Sequence, residues 1–200
     1  SLQFIDDQYV VEIAVSSDGY TYTHNLYNFV GTIDWGDGTT DTYTELINWP
    51  SHTYATVGDY NVVAEGKKVN ISSDYYKVSK NITKLVRIGK DMEITSMQEA
   101  FYEQRLLSEI MPGALDACAE VTNFEGTFVG CSSLTEIPEG LFDYNRKVTS
   151  FYLTFKGCES LQTIPEGLFD NCTEVTSFSA AFYNCKSLQT IPVGLFDHCT

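Results

Sequence analysis

The cysteines of this chain are spaced by a rule. All six lie after residue 117, and Cys131, Cys158 and Cys185 follow one another at intervals of 27 residues, as do Cys172 and Cys199. Written in blocks of that length, the segment Gly130 to Asp143 aligns with Gly157 to Asp170 and with Asn184 to Asp197. A weaker first copy sets Ile94, Met97, Phe101, Leu107, Ile110, Gly113 and Asp116 one block before Val121, Phe124, Phe128, Leu134, Ile137, Gly140 and Asp143. A period in this range means that each copy buries its apolar face only against its neighbours, so the fold must be a stack.

Within one copy the large apolar positions Phe169, Cys172, Val175, Phe178, Phe182, Cys185, Leu188 and Ile191 step by three or four, which alone suggests an amphipathic helix. Pro138, Pro165 and Pro192, each followed two residues later by Gly140, Gly167 or Gly194, interrupt that helix once per copy. The reading is therefore a coil of short pieces. Helical turns fall at Leu168 to Cys172 and Ala180 to Cys185, and extended pieces at Glu174 to Phe178 and Leu188 to Ile191. Stacking places Phe128, Phe155 and Phe182 in one column and Leu134, Leu161 and Leu188 in another, about 4.8 Å apart where strands pair.

The run Val175-Thr-Ser-Phe-Ser-Ala-Ala-Phe-Tyr-Asn-Cys-Lys-Ser-Leu-Gln-Thr-Ile-Pro192 resembles the BspA-like leucine-rich repeats of bacterial surface proteins. The resemblance covers residues 89–200 and implies a leucine-rich-repeat solenoid of 27-residue α/β coils.

Residues 1–88 carry no repeat. Tyr9 to Val15, Phe29 to Trp35 and Tyr60 to Ala64 read as strands, with turns at Asp18-Gly19, Asp37-Gly38 and Gly58-Asp59. The motif Ile33-Asp-Trp-Gly-Asp-Gly-Thr39, then His52-Thr-Tyr54, then Gly58-Asp-Tyr-Asn-Val62, is similar to the PKD family, which implies an all-β immunoglobulin-like sandwich. The expected architecture is therefore multidomain, a sandwich over 1–88 and a solenoid over 89–200. The segment Lys84 to Gly89 can close the sandwich and open the stack at once, and no Pro/Gly/Ser-rich linker separates the halves.

A formal charge of -15 argues against nucleic acid or an anionic membrane as partner, since both are bound by neutralising phosphates. No apolar run approaches the roughly 18 residues that span a bilayer, so a membrane-spanning chain is not expected.

Three groups could carry chemistry. Asp34, Asp37 and Asp41, around Gly36 and Gly38, invite a calcium site, but Asp-Gly is also the pair of a tight turn, and the turn is the preferred reading. The cysteines lack Cys-x-x-Cys spacing, which disfavours zinc, and free buried thiols are preferred over disulfides. His24, His52 and His198 fall in no catalytic motif, and no phosphate-binding loop, nucleophile elbow or zinc-protease motif occurs, so neither an enzyme nor a cofactor is expected.

Tyr102, Tyr152 and Tyr183, with Lys156 and Lys186, are candidates for an exposed ligand surface, although tyrosines in a small repeat array serve equally as packing. Taken together, the resemblances imply an extracellular bacterial cell-surface protein for binding or adhesion, with a lipid-anchored start and a host protein or glycan as ligand. The alternative is a structural spacer without a ligand. The last copy stops within a coil at Thr200, which predicts that the chain continues or that a homo-oligomer covers the open end around Leu195 and Phe196.

Overall fold

The residues that read as strands meet in one sheet. A computed structural model describes residues 8–67, 70–72 and 76–199. In it β1 (Gln8–Val15) is flanked by β7 (Gly58–Lys67) and β9 (Ile82–Arg87), both antiparallel to it. β7 pairs with β4 (Phe29–Asp34), and β4 with the edge strand β5 (Thr40–Ile47). Two small antiparallel pairs complete this half: β2 (Tyr20–Thr23) with β6 (Ser51–Tyr54), and β3 (Leu26–Tyr27) with β8 (Asn70–Ile71). In β1 the period of two is visible, with Tyr9, Val11, Ile13 and Val15 sharing the core face. The edge strand β5 is mostly exposed Thr, Asp and Glu, which discourages further pairing. Gly58-Asp59, expected as a turn, instead opens β7.

β9 pairs with β1 on one side and, in parallel, with β10 (Glu109–Ile110) of the first repeat on the other. One six-stranded mixed sheet, in the order β10-β9-β1-β7-β4-β5, therefore crosses from the first half into the repeats, and one hydrophobic cluster runs from Tyr9 to Leu195.

This corrects the expected fold class. The chain is a single mixed-sheet domain, and it is neither a free-standing immunoglobulin-like sandwich nor a leucine-rich-repeat solenoid of α/β coils. The only helix among the described residues is a 3-10 turn at Lys90–Met92, and the repeats share no continuous sheet, only isolated parallel bridges such as Asn123 with Ser150 and Ser150 with Ser177.

The cause lies in where the backbone spends its hydrogen bonds. The expected helical pieces are single turns closed between residues three apart, for example the Tyr183 amide onto the Ala180 carbonyl and the Cys185 amide onto the Phe182 carbonyl. Ala180 (φ 54°) and Asn184 (φ 61°) are left-handed, which ends each turn before a helix can propagate. The remaining amides point along the stack. Those of Phe124, Gly126, Phe128 and Gly130 donate to the carbonyls of Ser150, Tyr152, Thr154 and Lys156, at 2.8–3.1 Å. Those of Phe151, Leu153, Phe155 and Gly157 repeat this onto Ser177, Ser179, Ala181 and Tyr183. Met97, Glu99, Phe101 and Glu103 do the same one layer earlier.

The columns are aromatic. Phe101, Phe128, Phe155 and Phe182 stack at 5.3–5.5 Å with interplanar angles of 4–12°, and Phe124, Phe151 and Phe178 stack beside them at 5.6 Å. The ring centroids stand farther apart than paired strands do because stacked rings are offset, while the layers themselves are joined by backbone hydrogen bonds of ordinary length.

The first layer is capped by side chains of the sheet half. Asn25 Nδ2 donates to the Ala100 carbonyl (2.9 Å), and Lys80 Nζ donates to the Tyr102 carbonyl (2.9 Å). Asn25 is fully buried, and its oxygen takes the hydroxyl of Tyr9 (3.1 Å) and Nδ1 of His24 (2.9 Å). Because that oxygen only accepts, Nδ1 carries the imidazole proton, and the bare Nε2 of His24 lies buried without a partner.

Phe155→Ala, in the middle of the column, is expected to cost about 3–5 kcal/mol in denaturant unfolding; a cost below about 1 kcal/mol would contradict this packing. A second expectation concerns acid. Burial pushes the His24 pKa down to about 3 from an ordinary value of 6.5. Between those values the unfolded chain binds a proton that the folded chain refuses, so stability falls as pH drops through that window and is untouched by this group above it. Unfolding measured against pH should show a slope up to about 1.4 kcal/mol per pH unit steeper in the wild type than in His24→Gln. Equal slopes would show that His24 is not held neutral.

Candidate functional site

The three aspartates of the Trp-Gly-Asp-Gly loop turn to separate tasks. Asp34 Oδ1 accepts the Gly36 amide (2.9 Å), and Asp37 Oδ1 accepts the Thr39 amide (3.0 Å) and hydroxyl (2.6 Å). Asp41 Oδ2 accepts the indole N–H of Trp35 (2.9 Å). Asp37 Oδ2 meets His52 Nε2 at 2.7 Å, and the His52 ring stacks on Trp35 with centroids 5.2 Å apart. Desolvation works to raise the Asp37 pKa, but the hydrogen bonds from Thr39 and His52 outweigh it and hold the carboxyl below its ordinary value. The loop is a latch that closes β4 onto β5 and β6. Among the described residues no group of three or more His, Cys, Asp or Glu side chains is placed to hold a metal ion.

All six thiols are free, five of them buried. Cys131, Cys158 and Cys185 donate to the carbonyls of Phe101, Phe128 and Phe155 at 3.1–3.3 Å, so each bonds the layer before it. Burial raises their pKa values, that of Cys185 to about 11, which keeps them protonated and unreactive.

The geometry that can take a ligand lies across the repeats. Positions equivalent under the 27-residue period form three parallel columns. One contains Tyr102, Val129, Lys156 and Tyr183; the next Glu103, Gly130, Gly157 and Asn184; the third Arg105, Ser132, Glu159 and Lys186. Between them runs a polar groove of about 390 Å³, lined by ten of these twelve residues, Tyr183 and Lys186 excepted.

Gly130 (φ 71°) and Gly157 (φ 74°) are the floor of this groove. Every member of their column is left-handed, including Glu103 (φ 58°) and Asn184 (φ 61°), so glycine relieves strain in the middle layers and leaves the trough open. A Cβ at Gly130 would come within 2.7 Å of the Glu103 carboxylate. On the third column Arg105 pairs with Glu103 (2.7 Å) and Lys186 with Glu159 (2.7 Å). The Lys186 ammonium, by its hydrogen bond, holds the Glu159 carboxyl below its ordinary pKa. Lys156 Nζ sits 5.9 Å from the centroid of the Tyr183 ring.

Of the five residues singled out in the sequence, Tyr102 and Lys156 line the groove, Tyr183 stands beside Lys156, and Lys186 reaches it through Glu159. Tyr152 does not join them. It belongs to a different column, with Gln98, Glu125 and Ser179, and is exposed away from the groove. The sequence reading missed Glu103, Arg105, Glu159, Asn184 and the two glycines, although the same period that found the core columns also aligns them.

A larger cleft of about 580 Å³ lies at the joint of β9 with the first repeat, between Val86, Ile88 and Met111, with mainly apolar walls. It contains none of the residues read as candidates. No helix among the described residues is long and apolar enough to cross a membrane. No protein-family model, no curated protein and no solved structure matches the chain.

Proposed function

We propose that this chain is a binding module of a bacterial cell-surface adhesion protein, working outside the cell, and that it takes an extended glycan in the groove across its repeats. The carrying observation is the convergence of three repeat columns on one trough with a glycine floor. Its length grows by one layer per repeat, which suits a ligand that is itself a repeating chain.

The chemistry favours a glycan over a peptide. A peptide commonly binds by adding a strand to free backbone groups, yet here the amides of Gly130 and Gly157 are already spent on Lys156 and Tyr183 of the next layer. Nor does this groove hold an apolar pocket for the aromatic anchors on which protein interfaces depend, since Val129 is the one aliphatic side chain among its described lining residues. What the walls offer is a tyrosine, a serine hydroxyl, an asparagine amide and two carboxylate–cation pairs. That set of alternating donors and acceptors suits a ligand covered in hydroxyls. Both sequence resemblances, to PKD domains and to BspA-like repeat sequences, support the extracellular setting.

A spacer is the competing reading, favoured by the ion pairs that brace successive layers, Lys147 with Glu120 and Lys186 with Glu159. Binding of the purified chain to immobilised polysaccharides and extracellular-matrix proteins separates the two. Ser132→Trp fills the groove from a half-buried position without entering the core. The expected result is a reproducible polysaccharide signal that falls at least about tenfold in Ser132→Trp at an unchanged melting temperature. Undiminished binding by the variant would place the ligand elsewhere, and a blank wild type would favour the spacer.

A further inference from the structure

The charges of the groove are balanced except at one place. Glu103 is neutralised by Arg105, and Glu159 by Lys186, both at 2.7 Å. Lys156 lies between these pairs, half-buried on the opposite wall. Its layer neighbours in the column, Tyr102, Val129 and Tyr183, are all uncharged, and among the described residues no carboxylate pairs with it. Its ammonium faces the ring of Tyr183 at 5.9 Å, an uncharged group that cannot satisfy three ammonium protons.

Building on the glycan reading above, we infer that the groove selects an acidic oligosaccharide, one that sets a single uronic-acid carboxylate against the ammonium of Lys156. A lysine without a counter-ion, set in the wall of a groove, gains a charge-assisted hydrogen bond from an anion that arrives with the ligand, and the groove walls shield that pair from part of the solvent. One carboxylate fits better than a dense row of them. The chain as a whole carries a formal charge of -15, so its field repels a polyanion such as a fully sulfated chain, while a single acidic sugar flanked by neutral ones meets only the local positive site. Lysine also presents a point charge and not the planar fork that arginine offers to phosphate, and the one arginine of the groove is already paired with Glu103. The neutral sugars on either side then lie along the glycine floor, with Ser132 and Asn184 within the same trough.

The test compares oligosaccharides of the glucuronoxylan type with the same chains after carboxyl reduction, which turns each uronic acid into its neutral sugar. Calorimetric titration of the wild type, Lys156→Gln and Lys156→Arg reads the difference. The wild type should bind the acidic chain at least about tenfold more tightly than the reduced one, and rising salt should erode only the acidic affinity. Lys156→Gln should bind both chains alike, and Lys156→Arg should keep the preference. If the wild type binds acidic and reduced chains equally, the inference is overturned while the groove remains a glycan site. Preference that survives in Lys156→Gln also overturns it, since the carboxylate would then be read by another group. Binding of neither chain overturns it together with the glycan reading.

Discussion

Every layer of the repeat region hangs on amides that donate to the layer that follows. A turn that bonded internally would make a helix and leave nothing for its neighbour; here left-handed residues close each turn after one bond, and the freed N–H groups of Phe128 and Gly130 meet the carbonyls of Thr154 and Lys156. Such a ladder needs its first carbonyls satisfied, because an unpaired buried carbonyl costs about as much as a lost hydrogen bond. The sheet half meets this need with Asn25 and Lys80, whose side chains donate to Ala100 and Tyr102 in place of an earlier layer. That dependence explains why the two halves share a sheet edge and a core instead of a linker.

The same ladder produces the groove. Side chains at equivalent positions stack because the backbone is in register, so a feature on one layer becomes a rail along several. Where the rail is Phe128, Phe155 and Phe182 it becomes core; where it is Gly130 and Gly157 it becomes an open trough. The cations of the trough's third column pair with Glu103 in their own layer and with Glu159 in the layer before, whereas Lys156 on the first column has no such carboxylate among the described residues.

Much of this was legible in the chain itself. The period, the phenylalanine and leucine columns, and the three central strands around Tyr9 to Val15, Phe29 to Trp35 and Tyr60 to Ala64 follow from spacing alone. The interior of each coil did not. The prolines and glycines rule out one long helix, but apolar steps of three and four do not say whether each short piece is helical or a single turn, and the left-handed φ values of residues such as Leu153 and Ala180, which are not glycines, separate those two. Asn25 gave no local sign of its role, since its partner carbonyl lies 75 residues away. The candidate surface was half visible: Tyr102, Lys156 and Tyr183 stood out as residue types, but the groove appears only when the repeats are read across the layers, where the glycines between them gain meaning.

Native-state hydrogen exchange tests the ladder most directly. The account predicts that the amides of Phe128, Gly130, Phe155 and Gly157 are protected together, to a degree comparable with the amides of β1, although none of them lies in a regular strand or helix. If those four amides exchange as fast as the exposed loop around Gly38 while β1 stays protected, the layers are not joined by their backbones and the account is wrong.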